Sequence, residues 1–171
     1  MATRAARQKT GDRRQESAAR VVARQLEVYA RRGVFRSFSP IGVEDGKHTF
    51  RFVWLWNQPF SISLDEARRT LLFEDLLPRV PPRGELESAI KTFLEGFDSP
   101  DRPEHRRLDP RRATVRYTSR RGTGSLAFRI AAGDFEYGVQ QAMNVVNELF
   151  LEFLNMHHRE YLVEHYQVSD E

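Results

Sequence analysis

Apolar side chains recur at helical spacing in three stretches of the chain. The first stretch is residues 13–32, and Gly33 ends it because glycine readily adopts the positive φ that closes a helix. Its apolar face follows steps of four, four and three residues and consists of Ala18, Val22, Leu26 and Tyr29. Residues 85–97 and 135–156 show the same periodicity, and the last stretch can continue to Tyr166. The spacing therefore predicts three amphipathic helices.

Between the first two helices, apolar and polar residues alternate with the period of a strand. Residues 34–38 predict a short strand that ends before Pro40. The strongest strand is residues 48–56, and its aromatic face carries Phe50, Phe52, Trp54 and Trp56. Residues 60–64 predict the next strand. Residues 70–77 fit either a fourth strand or a short helix, because adjacent leucines blur the two-residue period.

Two tight turns predict hairpins. Asp45-Gly46 precedes the aromatic strand, and both residue types tolerate the positive φ of a two-residue hairpin turn. Residues 120–125, with the sequence RRGTGS, separate two further alternating stretches at residues 114–118 and 126–130. A phosphate-binding loop would lead from a strand into a helix, so a hairpin turn is the better interpretation of this glycine-rich segment.

The order of these elements predicts an α+β fold. We expect a single antiparallel sheet of about five strands with helices packed on one face, in the order α-βββ(β)-α-ββ-α. The predicted inner face consists of Phe50, Phe52, Trp54, Phe60, Ile62, Val115, Tyr117, Leu126, Phe128 and Ile130. The predicted open face carries Thr49, Arg51, Ser61, Ser63, Thr114, Arg116 and Arg129. Val53 and Leu55 are apolar exceptions that alternate onto this polar face.

Composition limits the kinds of protein that this chain can be. Its 171 residues, 40% of them hydrophobic, suffice for one folded domain, which we place at residues 13–166. A flexible basic tail is predicted over residues 1–12, an Arg/Pro-rich loop over 98–112 and an acidic tail over 167–171. The chain has no cysteine, which excludes disulfides and thiolate chemistry. The start lacks the apolar core of a signal peptide, and we expect a cytoplasmic protein without a membrane span.

Positive charge is concentrated in two segments. The first twenty residues hold six Lys/Arg against two acidic residues, and residues 101–121 hold eight arginines against three acidic residues. Such segments favour nucleic acid or acidic protein surfaces, and the alternative interpretation is a solvated arm and a solvated loop. The candidate nucleic-acid contacts in the loop are Arg106, Arg107, Arg111 and Arg112.

Motifs for catalysis or metal binding are weak. Ser88 and Lys91 fit S-x-x-K, in which a lysine activates a serine nucleophile, but the companion motifs of such enzymes are missing. The candidate metal ligands near the C-terminus are His157, His158, Glu160, Glu164 and His165. They do not form H-E-x-x-H. We therefore expect no enzyme, no metal and no cofactor.

The element order resembles two bacterial families, the type III secretion chaperones and the YbjN family. The segments that carry the resemblance span about residues 15–156 and include HTFRFVWLW followed by FSISL, LPRVPPRGELESAIKTFLEGF, and ATVRYTSRRGTGSLAFRI followed by GDFEYGVQQAMNVVNELFLEFL. The resemblance implies one antiparallel sheet with helices packed against it. For the secretion chaperones it also implies a homodimer that binds an extended client segment without catalysis.

These observations favour a non-enzymatic protein-binding module, secretion-chaperone-like or adaptor-like, that dimerises and binds an extended client segment. The predicted partner-binding residues on the open face are Arg51, Val53, Leu55, Arg116 and Arg129. The alternative is a nucleic-acid-associated protein that uses the basic N-terminal arm and the Arg-rich loop.

Overall fold

The computed structural model describes residues 16–169, in which six strands form one antiparallel sheet in the order β1-β2-β3-β4-β6-β5. The strands are β1 (Arg36–Glu44), β2 (Lys47–Trp54), β3 (Gln58–Asp65), β4 (Thr70–Leu77), β5 (Ala113–Arg120) and β6 (Thr123–Ile130). The predicted α+β fold is confirmed, with six strands because residues 70–77 form a strand. The tail predicted at residues 1–12 and the last two residues of the acidic tail lie outside the described part.

Helices cover one face of this sheet. They are α1 (Ala18–Arg31), α2 (Glu85–Glu95), α3 (Phe135–Asn147), α4 (Asn155–His157) and α5 (Arg159–Tyr166). The third helix runs without a break into a π-helical segment, Glu148–Leu154, and then into α4. The helical path ends at His158, whose φ of −140° is not helical, so α5 is a separate helix and not the tail of a continuous one.

The core lies between the helices and the inner face of the sheet. The predicted apolar face of α1 is confirmed at Val22 and Leu26, which are fully buried. The aromatic strand β2 supplies Phe52, whose ring stacks on Phe35 with centroids 4.1 Å apart. The core extends beyond the predicted domain end at residue 166, because the side chain of Val168 is also buried.

Both predicted hairpin turns have the expected backbone. Asp45 and Gly46 have φ values of 51° and 75°, and Arg121 and Gly122 have 53° and 78°. Positive φ at both central positions is the geometry that matches the twist of the flanking strands.

Two strand boundaries differ from the prediction. The first strand passes through Pro40 and continues to Glu44, which an edge strand permits because one side of its backbone needs no hydrogen bonds. The second strand ends at Trp54, and residues Leu55–Asn57 form a 3₁₀ turn in which Trp56 has a φ of 50°. The Trp56 ring therefore leaves the predicted strand face and packs near Phe150, with centroids 6.0 Å apart.

Gly124 on β6 occupies a position with no room for a side chain. A Cβ added there would lie 2.5 Å from both Cε2 and Oη of Tyr117 on the neighbouring strand. We expect Gly124→Ala to lower the free energy of unfolding by about 1–3 kcal/mol because the ring must shift. Urea unfolding measures this change, with Gly96→Ala as the control, since an added Cβ there meets nothing within 4 Å. An equal effect of both variants would contradict the tight contact.

Candidate functional site

Strand register places a row of polar side chains across the open face of the sheet. Lys47 pairs with Asp65, Asp65 with Thr70, Thr70 with Arg129, and Arg129 with Thr114. Paired residues of antiparallel strands project from the same face, so these five side chains lie side by side. Neighbouring strands are about 4.8 Å apart, which separates Lys47 from Arg129 by roughly 14 Å.

A second row lies directly beside the first. Thr49 pairs with Ser63, Ser63 with Leu72, Leu72 with Ala127, and Ala127 with Arg116. The middle of this row is apolar or small, and Leu72 is half-buried there. Its β5 end is cationic. The open face therefore has a weakly apolar centre with positive charge at its β5 side.

Both rows line a hollow of about 720 Å³ in the open face. The hollow, called the basic hollow below, contains the cations Lys47, Arg68, Arg116 and Arg129 and one carboxylate, Asp65. The Asp65 carboxylate lies 4.0 Å from Nε of Arg68 and so compensates that guanidinium. Within residues 16–169, the side chains of the other three cations have no ion pair or hydrogen bond. Their charge is exposed; Asp65 is the cross-strand neighbour of Lys47, so in this part of the chain the charge that no lining carboxylate adjoins is that of Arg116 and Arg129.

The structure does not bring the five predicted partner-binding residues together. Arg116 and Arg129 meet in the basic hollow, whereas Arg51 lies exposed on the same face but outside it. Val53 and Leu55 line another hollow, near the end of α1. Leu55 belongs to the 3₁₀ turn and packs against the core, so it does not extend the open face as its alternation suggested.

Sequence reasoning did not identify Lys47, Arg68 or Leu72 as members of the site. Lys47 opens β2 directly after the hairpin turn, and Arg68 lies in the connection between β3 and β4. Leu72 faces outward only if residues 70–77 form a strand in register with β3. Choosing the strand over the helix for this segment would have placed Leu72 on the open face.

The Arg-rich loop is held to the helices by ion pairs. The guanidinium of Arg106 lies 3.1 Å from Glu148 and 3.2 Å from Glu152. Arg102 donates a second charge-assisted hydrogen bond to Glu148. The hydrogen bond and negative charge of Glu148, with a smaller contribution from Glu152, raise the pKa of Arg106. The loop arginines thus compensate carboxylates of the π-helical segment.

The remaining arginines proposed for nucleic-acid binding also have partners within the protein. Arg107 donates to two backbone carbonyls of the loop at 2.7 and 2.8 Å. Arg111 lies 3.2 Å from Asp109, and this hydrogen bond lowers the pKa of the Asp109 carboxyl. Arg112 lies 3.0 Å from Asp134. The loop charge is therefore largely balanced locally, unlike that of the basic hollow.

The structure gives no support to the candidate catalytic pair Ser88 and Lys91 or to the candidate metal ligands near the C-terminus. Lys91 donates a 2.7 Å hydrogen bond to Glu87, which lowers the pKa of that carboxyl, and Ser88 is exposed beside them. Across residues 16–169, no three His, Asp or Glu side chains are grouped so that they can hold a metal ion. The same part of the chain contains no helix with the length and apolarity of a membrane span.

Comparison with known proteins identifies no relative. No protein-family model matches the chain, and neither a curated protein nor a solved structure shows significant similarity to it. The resemblance to secretion chaperones and to the YbjN family thus stays a prediction from element order.

Proposed function

We propose that this protein is a non-enzymatic binding module whose open sheet face binds an extended acidic segment of a partner protein. The observation that carries the proposal is the basic hollow, in which Lys47, Arg116 and Arg129 form no ion pair or hydrogen bond within the described residues. A secretion-chaperone-like or adaptor-like role and homodimerisation belong to the same proposal through the resemblance in element order, and the proposed location is the cytoplasm.

The dimensions of the hollow suit an extended segment. Residues i and i+4 of an extended chain are about 13 Å apart and point to the same side. This spacing matches the roughly 14 Å between Lys47 and Arg129, so two carboxylates four residues apart can reach both cations. The intervening side chain on that side would lie between Asp65 and Thr70, and Leu72, two residues along β4 from Thr70, is the apolar side chain next to it. An acidic–apolar–acidic pattern is therefore the expected partner sequence.

Nucleic-acid binding is the second candidate, because unpaired cations also attract phosphates. The Arg-rich loop gives it less support than the sequence suggested, since Arg106, Arg107, Arg111 and Arg112 all have partners within the protein. The basic N-terminal arm at residues 1–12 lies outside the described residues. A single-stranded oligonucleotide is therefore included as a competitor in the test of the proposed function.

The test uses a fluorescent peptide with the core glutamate-serine-valine-serine-glutamate and a matched peptide with lysine in place of glutamate. We expect the acidic peptide to bind, and Arg116→Asp to weaken its binding at least about tenfold by replacing attraction with repulsion. Arg121→Asp is the control, because it makes the same charge change in the hairpin turn outside the hollow. Fluorescence anisotropy gives the dissociation constants, and circular dichroism confirms folding.

Two results would contradict the proposal. One is equal weakening by Arg121→Asp, which would indicate a general effect of net charge. The other is tighter binding of the oligonucleotide than of the acidic peptide, which would favour the nucleic-acid function instead.

A further inference from the structure

Arg116 and Arg129 form a pair of like charges on neighbouring strands. Arg116 pairs with Ala127 and Arg129 with Thr114, so the two arginines are diagonal neighbours on the same face. Diagonal neighbours on a sheet are about 7–8 Å apart, within reach of long side chains, so these like charges repel each other unless a counter-charge is present. Among the described residues, the one carboxylate that lines the basic hollow is Asp65, which lies beside Lys47 and Arg68. The arginine pair therefore leaves a position for an anion that none of the described residues fills.

The amount of charge distinguishes between possible anions. A carboxylate carries one negative charge on two oxygens, and a single guanidinium can satisfy it with two parallel hydrogen bonds. A phosphoryl group on a side chain carries a charge of about −1.5 to −2 at pH 7 and three acceptor oxygens. The two guanidiniums of Arg116 and Arg129 exceed the need of one carboxylate and match that of a phosphoryl group.

A neutral donor completes the cluster. Thr114 is exposed beside Arg129 in the same row, and its hydroxyl has no hydrogen-bond partner among residues 16–169. A hydroxyl and two guanidiniums approach from two strands, which suits a tetrahedral anion with oxygens pointing in several directions.

We infer that Arg116, Arg129 and Thr114 form a subsite for a phosphoryl group carried by the partner segment, so that phosphorylation of the partner strengthens its binding. The inference rests on the proposed function, since it specifies one anchor of the same acidic segment. The second carboxylate of the segment then lies toward Lys47 on the far side of the hollow.

The test compares the peptide with the core glutamate-serine-valine-serine-glutamate with two phosphopeptides, in which one or the other glutamate is replaced by phosphoserine. We expect one of these phosphopeptides to bind the full chain about tenfold more tightly than the glutamate peptide. The gain should grow between pH 5 and pH 7, because the second ionisation of the phosphoryl group has a pKa near 6. Arg129→Gln should remove most of the gain. Arg51→Gln should preserve it, because Arg51 is exposed on the same face but outside the hollow.

The outcomes separate the inference from the proposed function. Equal affinity for the glutamate peptide and both phosphopeptides would overturn the phosphoryl subsite and leave the acidic-segment function intact. Binding of none of these peptides would overturn both. A gain that Arg51→Gln removes as completely as Arg129→Gln would overturn the subsite as well. If Arg129→Gln lowers the melting temperature, Arg116→Gln replaces it and must remove the gain for the inference to stand.

Discussion

Phe150→Ala is expected to lower the free energy of unfolding by about 3–5 kcal/mol, as is typical when a fully buried aromatic side chain is truncated. The Phe150 ring has no solvent exposure and lies in the π-helical segment at the centre of the aromatic core. It makes edge-to-face contacts with Phe60 and Tyr166, at centroid distances of 6.2 and 5.0 Å. Its removal therefore loosens β3, α5 and the π-helical segment together.

Urea unfolding followed by circular dichroism measures this effect. The matched control is Leu151→Ala, because Leu151 is the next residue in the same helical segment and its side chain is 40% exposed. We expect the control to lose less than about 1 kcal/mol. A similar loss in both variants would mean that the segment does not present Phe150 to the core as described.

The alternating strands were the most predictable part of the fold. Phe50 and Phe52 are buried as their two-residue period predicted, and Arg51 between them is exposed. The period identifies the faces because a strand that packs on one side must bury every second side chain. The same logic predicts from the sequence alone that Arg116 and Arg129 lie on the open face, where the structure has them.

The pattern was less informative where local geometry overrides periodicity. Leu55 and Trp56 continue the alternation of β2 in the sequence, but the 3₁₀ turn rotates both side chains out of the strand pattern. A two-residue period cannot reveal where a strand ends inside an apolar run. The end of the last long helix was predicted more closely: its apolar period extends to Met156, and the helical path ends at His158, although the period left open a continuation to Tyr166.

The sequence also could not show which arginines have an acidic partner. The Arg-rich loop and the basic hollow both contain several cations, but the cations of the loop have partners within the protein, and Arg116 and Arg129 of the hollow have none among residues 16–169. Arg106 meets Glu148, which is 42 residues away along the chain, and Arg112 meets Asp134, which is 22 residues away. Such partners depend on tertiary contacts. Counting charges along the chain therefore identified the loop, whereas the described part of the structure shows two arginines without an ion pair, Arg116 and Arg129, on the sheet.

Glu148→Ala is the second large effect we expect, a loss of about 2–4 kcal/mol in the free energy of unfolding. The Glu148 side chain is 11% exposed and accepts hydrogen bonds from Arg102 and Arg106, so its removal leaves two guanidiniums without their shared anion. The guanidinium of Arg102 suffers most, because its side chain is only 20% exposed and lies over the Phe97 ring.

Thermal and urea unfolding of Glu148→Ala and of Glu152→Ala test this assignment. Glu152 contacts only Arg106 among the loop arginines and is 56% exposed, so its loss should cost less than about 1 kcal/mol. Hydrogen exchange adds a local measurement: amides of residues 98–112 should exchange faster in Glu148→Ala, because the loop loses its shared anchor on the helix. Unchanged exchange in this loop, or equal destabilisation by both variants, would show that Glu148 does not hold the arginines in place. The loop cations would then be free to bind an external anion, which would restore the nucleic-acid alternative.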